Sequence, residues 1–309
     1  MIFVRDKGRL CNNILQYGHL YAWGREHGRN TMSMRFAYKY RYFHICHTPY
    51  HNFAVYLFAK YAAKWGLLPI ADFGVDAPND PDQQEQLLLS HNHIVAQGWY
   101  ARWYDLFLKY KQDIIALFQF DEKLKLTVNR RLASLPAADV RLGMHVRRGD
   151  YRTWHNGCYF FTDEQYINLI RQFLSLHEGK RIQVFICGND PELDEDSYRQ
   201  ALAIPDLRIP DLRSPTRCLS PTRSLSTPPS IAPPRHRATA PPSLVFPKGN
   251  PGEDLYLLSQ CDYLIGPPST FTLVAAMYHD RPLCWVEDAD MTLSPSSFAY
   301  FDELFQKIK

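Results

Sequence analysis

Several features that would decide a function at once are missing from this chain. No apolar run approaches the roughly 18 to 20 residues needed to cross a bilayer. The opening Met1-Ile2-Phe3-Val4-Arg5-Asp6 lacks the basic-then-apolar order of a secretory leader. The expected location is therefore cytoplasmic, with peripheral contact at the inner membrane face allowed. The seven cysteines include no Cys-x-x-Cys pair, and their number is odd. That argues against a disulfide framework and for buried thiols in a reducing compartment. There is no GxxxxGK(S/T) loop, which sets aside a P-loop phosphoryl-transfer enzyme. Net charge is only +3, so the whole molecule is not a polyanion binder and nucleic acid is not an expected partner. Any anion chemistry must come from a local cluster. No Asp-x-Asp pair stands where a cation would hold a sugar nucleotide; Asp288-Ala289-Asp290 follows a strand, but late. His44, Cys46, His47 and His51 lie close together in a spacing that matches no zinc pattern.

What is present suits a globular enzyme. The 309 residues, 46% hydrophobic and 22% charged, suffice for two modest α/β domains or one large one. Aromatics crowd into 36–58 and 99–110. Sugar sites use aromatic faces, but core and interface packing is the expected role here.

Ile2-Phe3-Val4, the turn through Gly8, and the apolar spacing from Leu10 to Ala22 read as strand, loop and helix. Stretches 51–68 and 99–119 also carry helical spacing. Val140–Val146 reads as a buried strand. Thr162 and Gln165 form a capping box that opens a helix over Asp163–His177, closed by Gly179. Ile182–Cys187 is a second buried strand. Pro251 starts a helix through Gln260. Strand Asp262–Gly266, helix Ser269–Tyr278 and strand Leu283–Val286 follow. This alternation predicts an α/β fold with parallel sheets. The stretch Arg208–Pro247 breaks the pattern, being rich in Pro, Ser, Thr and Arg. It is expected to be disordered. It is either a natural flexible insert or a stretch translated in a shifted frame, and it sits where the sheet would place its next strand.

Four constellations carry chemistry. In Gly143-Met144-His145-Val146-Arg147-Arg148-Gly149-Asp150-Tyr151, two arginines stand just past a parallel strand, the edge where open α/β sheets bind ligands. Their planar forks suit phosphate; a surface pair salt-bridged to Asp150 is the plainer alternative. In Gly266-Pro267-Pro268-Ser269-Thr270-Phe271, two hydroxyls meet a helix N-terminus, a natural phosphate site; Ser269 as a simple N-cap is the alternative. Asp254, in the first turn of its helix, either compensates the dipole or hydrogen-bonds a nucleotide base or ribose. Gly8-Arg9-Leu10-Cys11-Asn12-Asn13 either cradles an acceptor or is an ordinary turn.

Taken in order, these pieces resemble the fucosyltransferase superfamily. They are most like the α-1,2-fucosyltransferases of glycosyltransferase family 11 and relatives that make α-1,6 and protein O-linked fucose. His145 to Tyr151 matches HxRRGDY in full. Asp254–Asp262, Ser269-Thr270-Phe271 and Ala275-Ala276 match near the C-terminus. Gly8 to Tyr17 resembles the GxGNQxxQY opening, with Cys11 for a glycine and Asn13 for the glutamine.

The resemblance implies a GT-B type fold of two Rossmann-like domains, 1–138 on the acceptor side and 139–309 binding a GDP-sugar, with 208–247 as an insert. It implies a metal-independent, inverting transfer of L-fucose from GDP-fucose, with no other cofactor. The acceptor is a glycan hydroxyl, expected as α-1,2 linkage to galactose, on a chain that lipid can carry. Arg147 or Arg148 is implied to bind the β-phosphate, Ser269 and Thr270 the diphosphate, His145 and Asp254 the guanosine, and Asn12 the fucose. Phe271 belongs to the same donor-binding motif. Asp150 is a base candidate by position alone. Another sugar nucleotide, or a nucleotide- or glycan-binding relative without turnover, are the competing readings.

Overall fold

The computed structural model describes residues 1–74, 81–188, 190, 193–202, 242–288 and 290–308. The first half opens with β1 (Ile2–Arg5), α1 (Leu10–Glu26) and β2 (Thr31–Ser33). Then come α2 (Phe53–Lys64), β3 (Ile70–Asp72), α3 (Pro81–Ser90) and β4 (Ile94–Gln97), then α4 (Tyr104–Lys109), α5 (Lys111–Leu117) and α6 (Glu122–Ala133). The second half holds β5 (Val140–Val146), α7 (Asp163–Leu176), β6 (Ile182–Gly188), α8 (Glu195–Ala201) and β7 (Ser243–Val245). It ends with α9 (Pro251–Ser259), β8 (Tyr263–Gly266), α10 (Thr270–Met277), β9 (Leu283–Trp285) and α11 (Phe301–Phe305).

Two sheets result, ordered β2-β1-β4-β3 and β7-β6-β5-β8-β9. Every pairing in them is parallel. In the second sheet the chain moves outward from β5 through β6 to β7, then crosses back to lay β8 on the other side of β5. The crevice between β5 and β8 is thus a topological switch point, where open α/β sheets bind ligands. The first sheet reverses likewise between β1 and β4.

Local chemistry sets these elements. β5 is buried along almost its whole length, as a central parallel strand must be. A Cβ at Gly143 would stand 2.7 Å from side-chain carbons of Leu258 and Leu264, so glycine lets α9 lie close on β5. The expected Thr162–Gln165 capping box is present at α7. Asn250 caps α9 ahead of Pro251, and Ser269 caps α10. The expected helix over 99–119 is two: the chain breaks at Tyr110 between α4 and α5.

Of the segment 208–247, residues 208–241 lie outside the described residues. Its last residues correct the expected boundary, because Ser243–Val245 is the edge strand beside β6. Alternation explains it: Leu244 and Phe246 bury in one apolar cluster and Val245 in another.

The largest apolar cluster joins both halves, combining α1 and α4 residues with α9, α10 and α11. The chain returns to the first half at its end. Phe305 stacks on His19 at 5.1 Å, and the Tyr104 hydroxyl donates to the Ile308 carbonyl at 2.8 Å. The aromatic-rich stretch 36–58 divides. Phe36 and Phe43 are fully buried, as expected, but Tyr50, Phe53 and Phe58 are exposed. Among the described residues no helix is long and apolar enough to cross a membrane.

Candidate active site

The loops that leave β5 and β8 meet at the switch point. After β5 the backbone carries Arg147 and Arg148 into the short helical turn Gly149–Arg152. After β8, Pro267 and Pro268 lead into the α10 cap. Tyr151 braces the two loops, its hydroxyl donating to the Pro268 carbonyl at 2.5 Å.

The adjacent arginines have opposite surroundings. Arg147 lies over the Tyr151 ring at 5.0 Å. Its fork makes two hydrogen bonds to Asp150, at 3.1 and 2.8 Å. Asp150 is exposed. The expectation that both arginines line a cleft is corrected by Arg148, which is buried. Its guanidinium donates to the Phe161 carbonyl at 3.0 Å, to Asp163 at 2.6 and 3.3 Å, and to Asp190 at 3.2 Å. A guanidinium so enclosed fixes the loop, whereas the Arg147 fork is paired with an exposed carboxylate.

Asp150 has two cationic neighbours. Beyond Arg147, its Oδ1 lies 3.7 Å from Arg9 of the first half. Partial burial raises its pKa, but the hydrogen bonds and charge of Arg147 outweigh that and hold the carboxyl below its usual range. It is therefore a weak base in this arrangement.

His145, the next-to-last residue of β5, stacks on Phe271 at 5.1 Å. Burial, then the nearby Arg147 charge, push its pKa down to about 3, so the ring is neutral. Its Nδ1 is buried with no hydrogen-bond partner. Asp254 is similar: its Oδ1 is buried and unpartnered. Burial, then the Glu253 charge, raise its pKa to about 7 against the pull of Arg131. The Asp254 charge is felt by Cys187 on β6, the register partner of His145. Buried polar atoms without partners are rare and call for an explanation, a bound ligand being one.

Ser269 accepts from the Phe271 amide at 3.2 Å and so fills the N-cap role. The neighbouring Thr270 hydroxyl donates to Asn12 Oδ1 at 2.6 Å, joining α10 to the first half. Gly8, with φ +91°, sits against Asn12; a Cβ there would approach its Nδ2 to 2.7 Å. The structure thus brings Asn12, His145, Arg147, Asp150, Ser269, Thr270 and Phe271 to one region. Asp254 stands at the start of α9 by the end of β6.

Sequence reasoning did not single out Tyr151, Asp163 or Asp190. Asp163 reads as an ordinary first-turn acid, and nothing local marks Asp190. It also missed Asp6, just past β1, which accepts from the Ser33 hydroxyl and the Arg35 amide. Burial raises Asp6 to about 7 despite those hydrogen bonds. The measured cavities lie elsewhere, about 510 Å³ beside Arg41, His47 and His51 and about 410 Å³ beside His44 and Phe120. Of His44, Cys46, His47 and His51, the two histidines His44 and His47 are exposed, and Cys46 and His51 are buried and hydrogen-bonded within the fold. His51 accepts from the Ser33 amide, and Cys46 donates to the Tyr40 carbonyl. Among the described residues no three His, Cys, Asp or Glu side chains gather as a metal site.

No family model matches this sequence, and no curated protein's sequence matches it significantly. Solved structures do. Arabidopsis thaliana FUT1, as an arginine-to-lysine mutant in complex with GDP, has a TM-score of 0.55 at 12% identity, covering 97% of this chain and 73% of that one. POFUT1 in complex with GDP-fucose also scores 0.55, at 11% identity, over 91% of this chain and 94% of that one. POFUT1 in complex with GDP scores 0.53 at 9% identity over the same shares. The fold is of GT-B type. Its two Rossmann-like halves, each with a parallel sheet, are those expected from the sequence.

Proposed function

We propose that this chain transfers L-fucose from GDP-fucose to a glycan hydroxyl, with α-1,2 linkage to galactose as the specific form. One observation carries the reading. An arginine fork resting on an exposed carboxylate, two hydroxyls at a helix N-terminus and the unpartnered buried His145 Nδ1 gather at one switch point, with the unpartnered Asp254 Oδ1 by the end of neighbouring β6. Those are the partners a purine nucleoside diphosphate needs. The solved structures of like fold that hold GDP or GDP-fucose add support.

In this reading the acceptor oxygen forms a bond to the sugar's anomeric carbon while the bond from that carbon to the β-phosphate oxygen breaks. The acceptor proton passes to a base or to the departing phosphate. GDP leaves with added negative charge, and Arg147 supplies the fixed positive charge that a metal supplies elsewhere. Asp150 holds the Arg147 fork in place until the diphosphate replaces it. Arg148 positions the loop and touches no substrate. Ser269 and Thr270 face the diphosphate, Phe271 and His145 the nucleoside, and Asn12 the sugar.

Thermal unfolding with a panel of nucleotides tests this, since a ligand of the native state raises the melting temperature. GDP should stabilise more than UDP, CMP or ADP; an equal or larger shift with UDP would overturn the assignment. Turnover of GDP-fucose should persist in EDTA. A second reading, nucleotide binding without turnover, draws on the Arg147–Asp150 pairing, and GDP binding with no consumption of GDP-fucose would favour it.

A further inference from the structure

Helix α2 turns three alanines inward and several aromatic side chains outward. Ala59, Ala62 and Ala63 pack in a cluster with Phe3 and Met32. Phe53, Phe58 and Tyr61 are 57%, 60% and 40% exposed, and Trp65 at the C-cap is 69% exposed. Positions 58, 61 and 65 fall on one helical face. Ring contacts join Tyr61 to Trp65 at 5.6 Å and, separately, Phe53 to Tyr56 at 5.6 Å and Tyr56 to Tyr38 at 4.7 Å, with Lys60 lying between the two groups. An exposed apolar patch of this kind marks an interaction surface.

The charge around it selects the occupant. From residue 27 to residue 71 the chain has no Asp or Glu; its charged side chains there are Arg29, Arg35, Lys39, Arg41, Lys60 and Lys64. Lys60 lies near the Tyr56 and Tyr61 rings at 5.8 and 5.6 Å. Both Lys60 and Lys64 are exposed on the face that carries the aromatics. Tryptophan and tyrosine favour the headgroup level of a bilayer, and lysine stems reach from apolar depth to phosphate. A second copy of this chain would set the same lysines against each other, since a two-fold interface is self-complementary.

We propose that the outer face of α2 docks the protein on an anionic lipid bilayer, with Phe58, Tyr61 and Trp65 at the acyl boundary and Lys60 and Lys64 on lipid phosphates. The inference stands apart from the reading of the switch-point site. Vesicle flotation tests it, using phosphatidylcholine with and without phosphatidylglycerol. The protein should float with the anionic vesicles and far less with the neutral ones. Lys60→Gln with Lys64→Gln should weaken partitioning roughly 25-fold, about fivefold for each lysine near the surface. Phe58→Ser with Trp65→Ser should leave the protein unbound at an unchanged melting temperature. Brominated acyl chains should quench the native emission more than that of Trp65→Phe. A protein that stays with the soluble fraction would overturn the proposal. So would variants that bind like the native chain, or a dimer in sedimentation velocity that Trp65→Ser dissociates.

Discussion

Beyond β5 and β8, an imidazole nitrogen and a carboxylate oxygen are buried without partners; beyond β1 and β4, most polar groups are tied to one another, with Asp6 Oδ1 left unmet. On the second sheet, the Arg147 fork rests on an exposed carboxylate, and His145 Nδ1 and Asp254 Oδ1 have no partner. On the first, Arg5 donates to Gln97 at 2.9 Å, and Gln97 donates to Asp72 at 2.7 Å. Ser33 donates to Asp6 through its hydroxyl and to His51 through its amide. The first edge is knit by a run of side-chain hydrogen bonds, and the second leaves His145 Nδ1 and Asp254 Oδ1 unmet within the fold. An unpartnered buried polar group is costly unless a ligand supplies its hydrogen bond.

The arginines give the largest expected effects. Arg148→Ala removes a buried guanidinium from beside Asp163 and Asp190 and should cost about 3 to 5 kcal/mol of stability. Arg147→Ala should leave stability within about 1 kcal/mol, because its partner is exposed. Its turnover of GDP-fucose should instead fall by about 10² to 10³. Arg147→Lys should not restore the rate fully, since lysine lacks the fork. Denaturant curves beside initial rates would decide it, and a stable, active Arg148→Ala variant would erase the contrast between the two residues.

Asp6 gives the next test, on the scaffold side. Its native pKa of about 7 lies above the unfolded value near 3.9. The fold keeps a proton that the unfolded chain loses, so native stability should fall as pH rises from about 4 to 7, by at most about 4 kcal/mol. Asp6→Asn should flatten that slope while leaving GDP affinity alone. Urea titrations across the range give the measurement; an unchanged slope would show that Asp6 is ionised in the fold.

On the ligand side the sign reverses. Guanine presents N–H donors, which a carboxylate accepts and a protonated acid does not match fully. Asp254, raised to about 7, should therefore bind GDP more tightly as pH rises toward 7, by up to about tenfold per unit. Asp254→Asn should bind weakly at every pH. Calorimetric titration of GDP from acid to neutral pH would show a flat profile if Asp254 does not contact the base. Smallest of all, Thr270→Val removes the Asn12 hydrogen bond between the halves and should cost about 1 kcal/mol. A larger loss in KM for GDP-fucose than in stability would place that contact at the sugar.

Much of the second half was legible from sequence because its elements carry local signatures. β5 and β6 are mainly apolar, buried runs, α7 has its capping box, and α9 has Asn250-Pro251 at its start. The first half was less legible. Its β2 and β3 are three residues each, too short for periodicity to register, and β7 hid behind a proline-rich stretch.

The sequence by itself determined the alternation of strand and helix, the parallel sheets and the two motifs that border the switch point. Those follow from spacing and capping among residues close along the chain. Only the tertiary structure decided which arginine is buried. Arg147 and Arg148 are chemically identical neighbours, and their surroundings come from Asp150, three residues from Arg147, and from Asp163 and Asp190, 15 and 42 residues from Arg148. It also decided that α2 turns Ala59, Ala62 and Ala63 inward, in close packing with Phe3 and Met32, and Phe53, Phe58 and Tyr61 outward.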